Sequence, residues 1–100
     1  KNFHKGYAPF FLPIFYNKNF LGISKQKFAL ALQAEGIPLG IDYGCIVSTW
    51  PWAKSYFKKK YKSVNALQTR NNCFHLYLHE NYKLKEVKDI VNAILKIEKY

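Results

Sequence analysis

Apolar residues along the chain change their spacing several times, and each change marks an element. In APFFLPIFYN, from Ala8 to Asn17, they alternate. Phe10, Leu12, Ile14 and Tyr16 point one way and Phe11, Pro13 and Phe15 the other, as the two-residue period of a strand requires. Both faces are apolar, so the pattern predicts a strand covered on both sides, here or in a larger assembly. Pro13 cannot donate to a ladder, which places the strand at an edge or a bulge. NKNFLGI reads as a turn. KQKFALALQAE then shifts to helical spacing, with Ser24 offered as N-cap, Gly36 as the left-handed stop and Ile37 as its apolar contact. Phe28, Ala31, Leu32 and Glu35 line the expected stripe.

PLGIDYG is a short extended segment ended by Gly44. From Cys45 to Asn72 the periodicity is poor, apart from a helical turn expected in WPWAKSYF with Pro51 at its first position. Alternation returns in FHLYLHE, with Phe74, Leu76 and Leu78 inward and His75, Tyr77 and His79 outward. The last segment, LKEVKDIVNAILKIEKY, is strongly helical, with Val87, Ile90, Val91, Ile94, Leu95 and Ile97 recurring at helical intervals. The order strand, helix, short strand, irregular basic stretch, strand, helix predicts an α+β fold. Its expected architecture is a small, mostly antiparallel sheet with two main helices packed on one face. The expected organisation is a loose segment over residues 1–6 and a single domain over residues 7–100.

Charge adds the next constraint. The 100 residues carry a formal net charge of +10. No acidic residue lies between Asp42 and Glu80, whereas Lys54, Lys58, Lys59, Lys60, Lys62 and Arg70 do. Such a field attracts anions. In TWPWAKSYFKKKYK, residues 49–62, rings and ammoniums alternate as a nucleic-acid surface would have them. No recognised nucleic-acid motif accompanies them, and the plainer reading is a solvated run of lysines 58–62 beside rings that pack inward or onto a neighbour. The absence of a long apolar run excludes a membrane span.

Candidate chemistry is sparse. Cys45 and Cys73 make no disulfide framework and read as reduced cytoplasmic thiols. His75 and His79, four residues apart on a strand, stand about 13 Å from each other, too far to share one ion. The scattered carboxylates form no acid–base pair, and Gly36, Gly40 and Gly44 form no phosphate-binding loop. By its own residues the chain is a poor enzyme.

Several separated words nevertheless resemble one family. FALALQAEGIPLGIDY, then WPW, then NALQTRNNCFHLYLHENYKLKEVKDIVNAILKIEKY are similar to the C-terminal small domain of the DegT/DnrJ/StrS-type sugar aminotransferases, over roughly residues 7–100. These are cytoplasmic pyridoxal-phosphate enzymes of the aspartate-aminotransferase fold, which aminate keto sugars carried on a nucleotide diphosphate. The chain departs from the family at Asp42, where a histidine is usual, and at GCIVSTWPW, where a proline-rich segment is usual. The resemblance implies a domain that shapes a substrate cleft and is inactive alone. The catalytic lysine and the pyridoxal-phosphate site would lie on an N-terminal large domain, and a homodimer mate would complete the enzyme. The lack of any methionine fits a chain cut from something longer. Tyr43 and Asp42, with Trp50, Trp52 and Arg70, are then the expected contacts to a nucleotide-diphosphate sugar, and this segment itself holds no cofactor or metal. The alternatives are a free-standing basic module for nucleic acid, or an interaction domain using the aromatic patch.

Overall fold

The computed structural model describes residues 10–57 and 62–100. The loose segment, the start of the expected first strand and Lys58 to Lys60 lie outside the described residues. The elements in order are β1 (Phe11–Phe15), α1 (Lys18–Leu21), α2 (Lys25–Ala34), β2 (Leu39–Gly40), α3 (Val64–Asn71), β3 (Cys73–Tyr77) and α4 (Leu84–Glu98). Two short 3-10 segments, Val47–Thr49 and Pro51–Tyr56, lie between β2 and α3.

The sheet is antiparallel in the order β1-β3-β2. Phe11 stands opposite Tyr77, Pro13 opposite His75 and Phe15 opposite Cys73, while Gly40 flanks His75 from the other side. The Tyr16 amide donates to Asn72 O at 2.7 Å just past the strand. In an antiparallel ladder, residues with that orientation alternate. Leu12 and Ile14 therefore face β3 with their amides, and Pro13 turns its missing N–H to the open edge. The proline costs no ladder bond there, and it removes a donor that a second chain could pair with.

Alternation also divides the sheet into two faces. Leu12 and Ile14 of β1, Leu39 of β2 and Phe74 and Leu76 of β3 share one face. There they meet Phe28, Ala29 and Leu32 of α2 and Ala93 of α4 in a single cluster, with Ile90, Ile94 and Ile97 packed against it. Phe74 and Leu32 are its largest fully buried side chains. This is the expected α+β arrangement, with both main helices on one face.

The α2 boundaries follow from local chemistry. Ser24 Oγ accepts from the Lys27 amide at 3.2 Å. At the other end the Gly36 and Ile37 amides donate back to Gln33 O and Leu32 O, with Gly36 at φ +89°. That is the paired-bond stop a left-handed glycine allows, and Ile37 is buried beside it. The buried stripe differs from the expected one. Lys25, Phe28, Ala29 and Leu32 are inside, and Glu35 instead reaches out to Lys96 of α4 at 2.7 Å.

Three expectations need correction. NKNFLGI is a short helix rather than a turn, because Asn17 Oδ1 accepts from the Asn19 amide and Gly22 closes it at φ +71°. The stretch thought irregular contains α3, whose interior carries no strong apolar period to announce it. The last strand ends at Tyr77 instead of running to Glu80. His79 beyond it is a turn residue: its Nδ1 accepts from the Asn81 amide, and its ring lies 4.2 Å from that of Tyr82.

Candidate functional site

The face of the sheet turned away from α2 and α4 carries Phe11, Pro13 and Phe15 on β1, Gly40 on β2, and Cys73, His75 and Tyr77 on β3. α3 and residues 43–47 lie over part of it. Between them opens a cleft of about 560 Å³, walled by Phe11, Tyr43, Ile46, Ala66, Arg70 and His75 among others. Its size suits a small organic ligand.

His75 is the centre of this wall. Sequence alternation placed it outward, and it does point away from the core, yet it is only 9% exposed. Its ring lies 4.9 Å from Phe11, 5.4 Å from Tyr77 and 6.2 Å from Tyr43. The imidazole fits because Gly40 stands beside it: a Cβ at position 40 would come within 2.2 Å of His75 Nε2 and 2.8 Å of the Tyr77 hydroxyl. Burial holds the His75 pKa below its ordinary value, and the Lys25 ammonium adds to the effect. The ring is therefore neutral at physiological pH, a donor–acceptor rather than a cation.

Lys25 sits beneath the cleft floor and is 8% exposed. Its Nζ donates to Asp42 Oδ1 at 2.6 Å, Ile41 O and Arg70 O at 2.9 Å, and Cys73 O at 3.0 Å. A buried ammonium is tolerated only when so surrounded. One side chain thereby joins the start of α2, the exit of β2, the last turn of α3 and the start of β3. The Arg70 and Cys73 carbonyls it holds belong to residues whose side chains line the cleft.

The five expected substrate contacts have different fates. Tyr43 and Arg70 both line the cleft, Tyr43 with its ring 5.9 Å from Phe11. Arg70 Nε is buried and has no hydrogen-bond partner among the described residues. Asp42 is instead turned to Lys25. Trp50 is half-buried, its Nε1 donating to Gly44 O at 2.9 Å. Trp52 leans on it at 5.5 Å and is 64% exposed, so of the two expected placements, inward or onto a neighbour, it does not take the inward one. Sequence reasoning missed Phe11, Thr69 and His75 as cleft residues. The readable hint was a glycine two positions before Asp42 that no turn required.

Cys45 and Cys73 also border the cleft as free thiols. No group of three His, Cys, Asp or Glu among the described residues could hold a metal ion. No helix among them is long and apolar enough to cross a membrane. Compared with known proteins, the chain matches no family model, no curated sequence and no solved structure.

Proposed function

We propose that this chain serves as the small, cleft-forming domain of a cytoplasmic pyridoxal-phosphate-dependent aminotransferase acting on nucleotide-linked keto sugars. The observation that carries the reading is the cleft on the face of the sheet turned away from α2 and α4, where the Arg70 guanidinium, with its unpartnered Nε, stands among Phe11, Tyr43 and neutral His75. An arginine offers planar donors to phosphate, and rings offer a face to a sugar or base. The sequence words that resemble that family supply the reaction class. Within it the residues of this chain bind and orient. Arg70 takes the diphosphate, the Tyr43 hydroxyl and the His75 imidazole hydrogen-bond sugar hydroxyls, and Phe11 excludes water from one side.

Pyridoxal phosphate supplies the amine-transfer chemistry, and its attachment needs a free lysine amine. Lys25 is the buried lysine beneath the cleft, and its Nζ is engaged by four oxygens. On this reading, as the resemblance implies, the cofactor and its lysine belong to a large domain with its dimer mate. Amide NMR of the chain titrated with a UDP-linked hexose tests this. Shifts should gather at Tyr43, Thr69, Arg70 and His75, and Arg70→Ala should weaken binding about tenfold or more, as loss of a charged hydrogen bond does. No perturbation at millimolar nucleotide sugar, or stoichiometric binding of pyridoxal phosphate by this chain, would overturn the reading.

A further inference from the structure

The outer side of α4 carries a short apolar stripe with a charge at either end. At about 3.6 residues per turn, Leu84, Lys88, Val91, Leu95 and Glu98 fall on one side of the helix, opposite the buried Ala93. Val91 is 47% and Leu95 49% exposed, and Leu84, Lys88 and Glu98 are exposed with them. Two other charges of the helix are already engaged: Glu86 accepts from the Lys83 amide, and Lys96 pairs with Glu35. Lys88 and Glu98 enter no ion pair among the described residues. They cannot meet each other, because the helical rise sets them about 15 Å apart along the axis.

The spacing along the stripe reads the same from both ends. Lys88 precedes Val91 by three positions, Val91 precedes Leu95 by four, and Leu95 precedes Glu98 by three. A second α4 laid alongside with its direction reversed therefore meets the stripe in register. Val91 falls against the partner's Leu95, and Lys88 against the partner's Glu98, at both ends. Two such helices in parallel would instead set lysine on lysine and glutamate on glutamate. Reversal also places opposite ends of the two helix dipoles together. A twofold contact requires one patch to complement itself in this way. A surface of a single charge sign would match one end of the stripe and repel the other.

We infer that α4 pairs with α4 of a second copy, antiparallel about a twofold axis, with Val91 and Leu95 closed between two Lys88–Glu98 bridges. The contact lies on the opposite face of the sheet from the cleft, leaves the cleft open and does not rest on the function proposed for it. One short stripe belongs to the small, transient class of protein contacts, with association expected on the order of 0.1–1 mM. At the low micromolar concentrations of an unfolding experiment the chain is then a monomer.

Sedimentation velocity of the chain, over a concentration series into the millimolar range, tests the inference. Salt of about 0.15 M screens the general repulsion between two basic copies, and a reductant keeps the exposed Cys45 from cross-linking them. Val91→Lys should abolish association. Lys88→Glu and Glu98→Lys each bring like charges together at both ends, and each should weaken association roughly 5- to 30-fold. An equimolar mixture of these two variants should associate as the parent does, because each copy then meets opposite charge at both ends. All of these positions are exposed, so circular dichroism should show the variants folded. The inference falls if the unaltered chain stays monomeric at millimolar concentration, or if Val91→Lys associates as strongly. It also falls if the mixture of Lys88→Glu and Glu98→Lys associates no better than either variant alone.

Discussion

At the residue scale, His75 shows how one neighbour decides a side chain's chemistry. Its alternating position in FHLYLHE assigns it to the outward face, and the structure agrees. Only Gly40 opposite and the rings of Phe11 and Tyr77 around it make that face dry. The consequence is a pH dependence of defined sign. The folded pKa lies below the ordinary 6.5, first through burial and then through Lys25. An unfolded chain therefore binds a proton near 6.5 that the folded chain refuses, so stability is full above that value and falls as pH drops from there toward the folded pKa. Glu86 acts in a separate, lower window. Its carboxylate accepts from the Lys83 amide at the start of α4, and backbone hydrogen bonds hold its pKa below the ordinary 4.5. Urea midpoints should thus decline as pH falls below the ordinary 6.5, and His75→Gln should flatten that decline without altering the later one in the carboxylate range. An unchanged slope in the variant would remove His75 as its source.

At the scale of elements, α4 is the clearest case of a period that was read correctly and interpreted too simply. Val87, Ile90, Val91, Ile94, Leu95 and Ile97 do recur at helical spacing. The structure splits them into two stripes. Ile90, Ile94 and Ile97 join Ala93 against the core, while Val87, Val91 and Leu95 are about half exposed, continuing from Leu84. A six-residue pattern cannot tell which part of a wide apolar arc the neighbouring α2 will cover. The stripes should respond differently to substitution. Ile94→Ala should cost about 2 kcal/mol, the low end for a large-to-small change because Ile94 is only partly buried. Val91→Lys should stay within about 0.5 kcal/mol. Equal losses in urea denaturation would mean that the outer stripe is covered in solution. α3 was illegible for the opposite reason: in VNALQTRN no apolar repeat marks a face, and Ser63 at its start makes no capping bond. Packing against the cleft side of β3 holds that helix rather than its own propensity.

At the scale of the whole molecule, the two faces of the sheet do different work. One is closed by α2 and α4 into the core, and the other is left as a cleft whose far wall is α3. The tie between the halves is Lys25, a charged residue that helical periodicity alone would place at an unremarkable first position of α2. It joins the start of α2 to the exit of β2 and to the junction of α3 and β3 through Asp42 and three backbone carbonyls. Lys25→Met keeps most of the side-chain volume and leaves those carbonyls without their donor. The expected loss is about 1–3 kcal/mol in urea denaturation, with faster amide exchange around Ile41 and Cys73. If stability and exchange are unchanged, the tie is incidental.

Local chemistry was sufficient where an element is decided within a few residues. Ser24 and Gly36 bound α2, Pro13 puts β1 at the edge, Pro51 opens a helical turn, and the apolar alternation of β1 and β3 assigns their two faces. Those features depend on steric limits of the backbone and on bonds between near neighbours, which the chain carries with it wherever it folds. The cleft, the dry imbedding of His75, the capture of Asp42 by Lys25 and the outward turn of Trp52 and Tyr56 depend on which segments come to lie side by side. Those partners are tens of residues apart, and loop closure and core packing, rather than any local preference, bring them together.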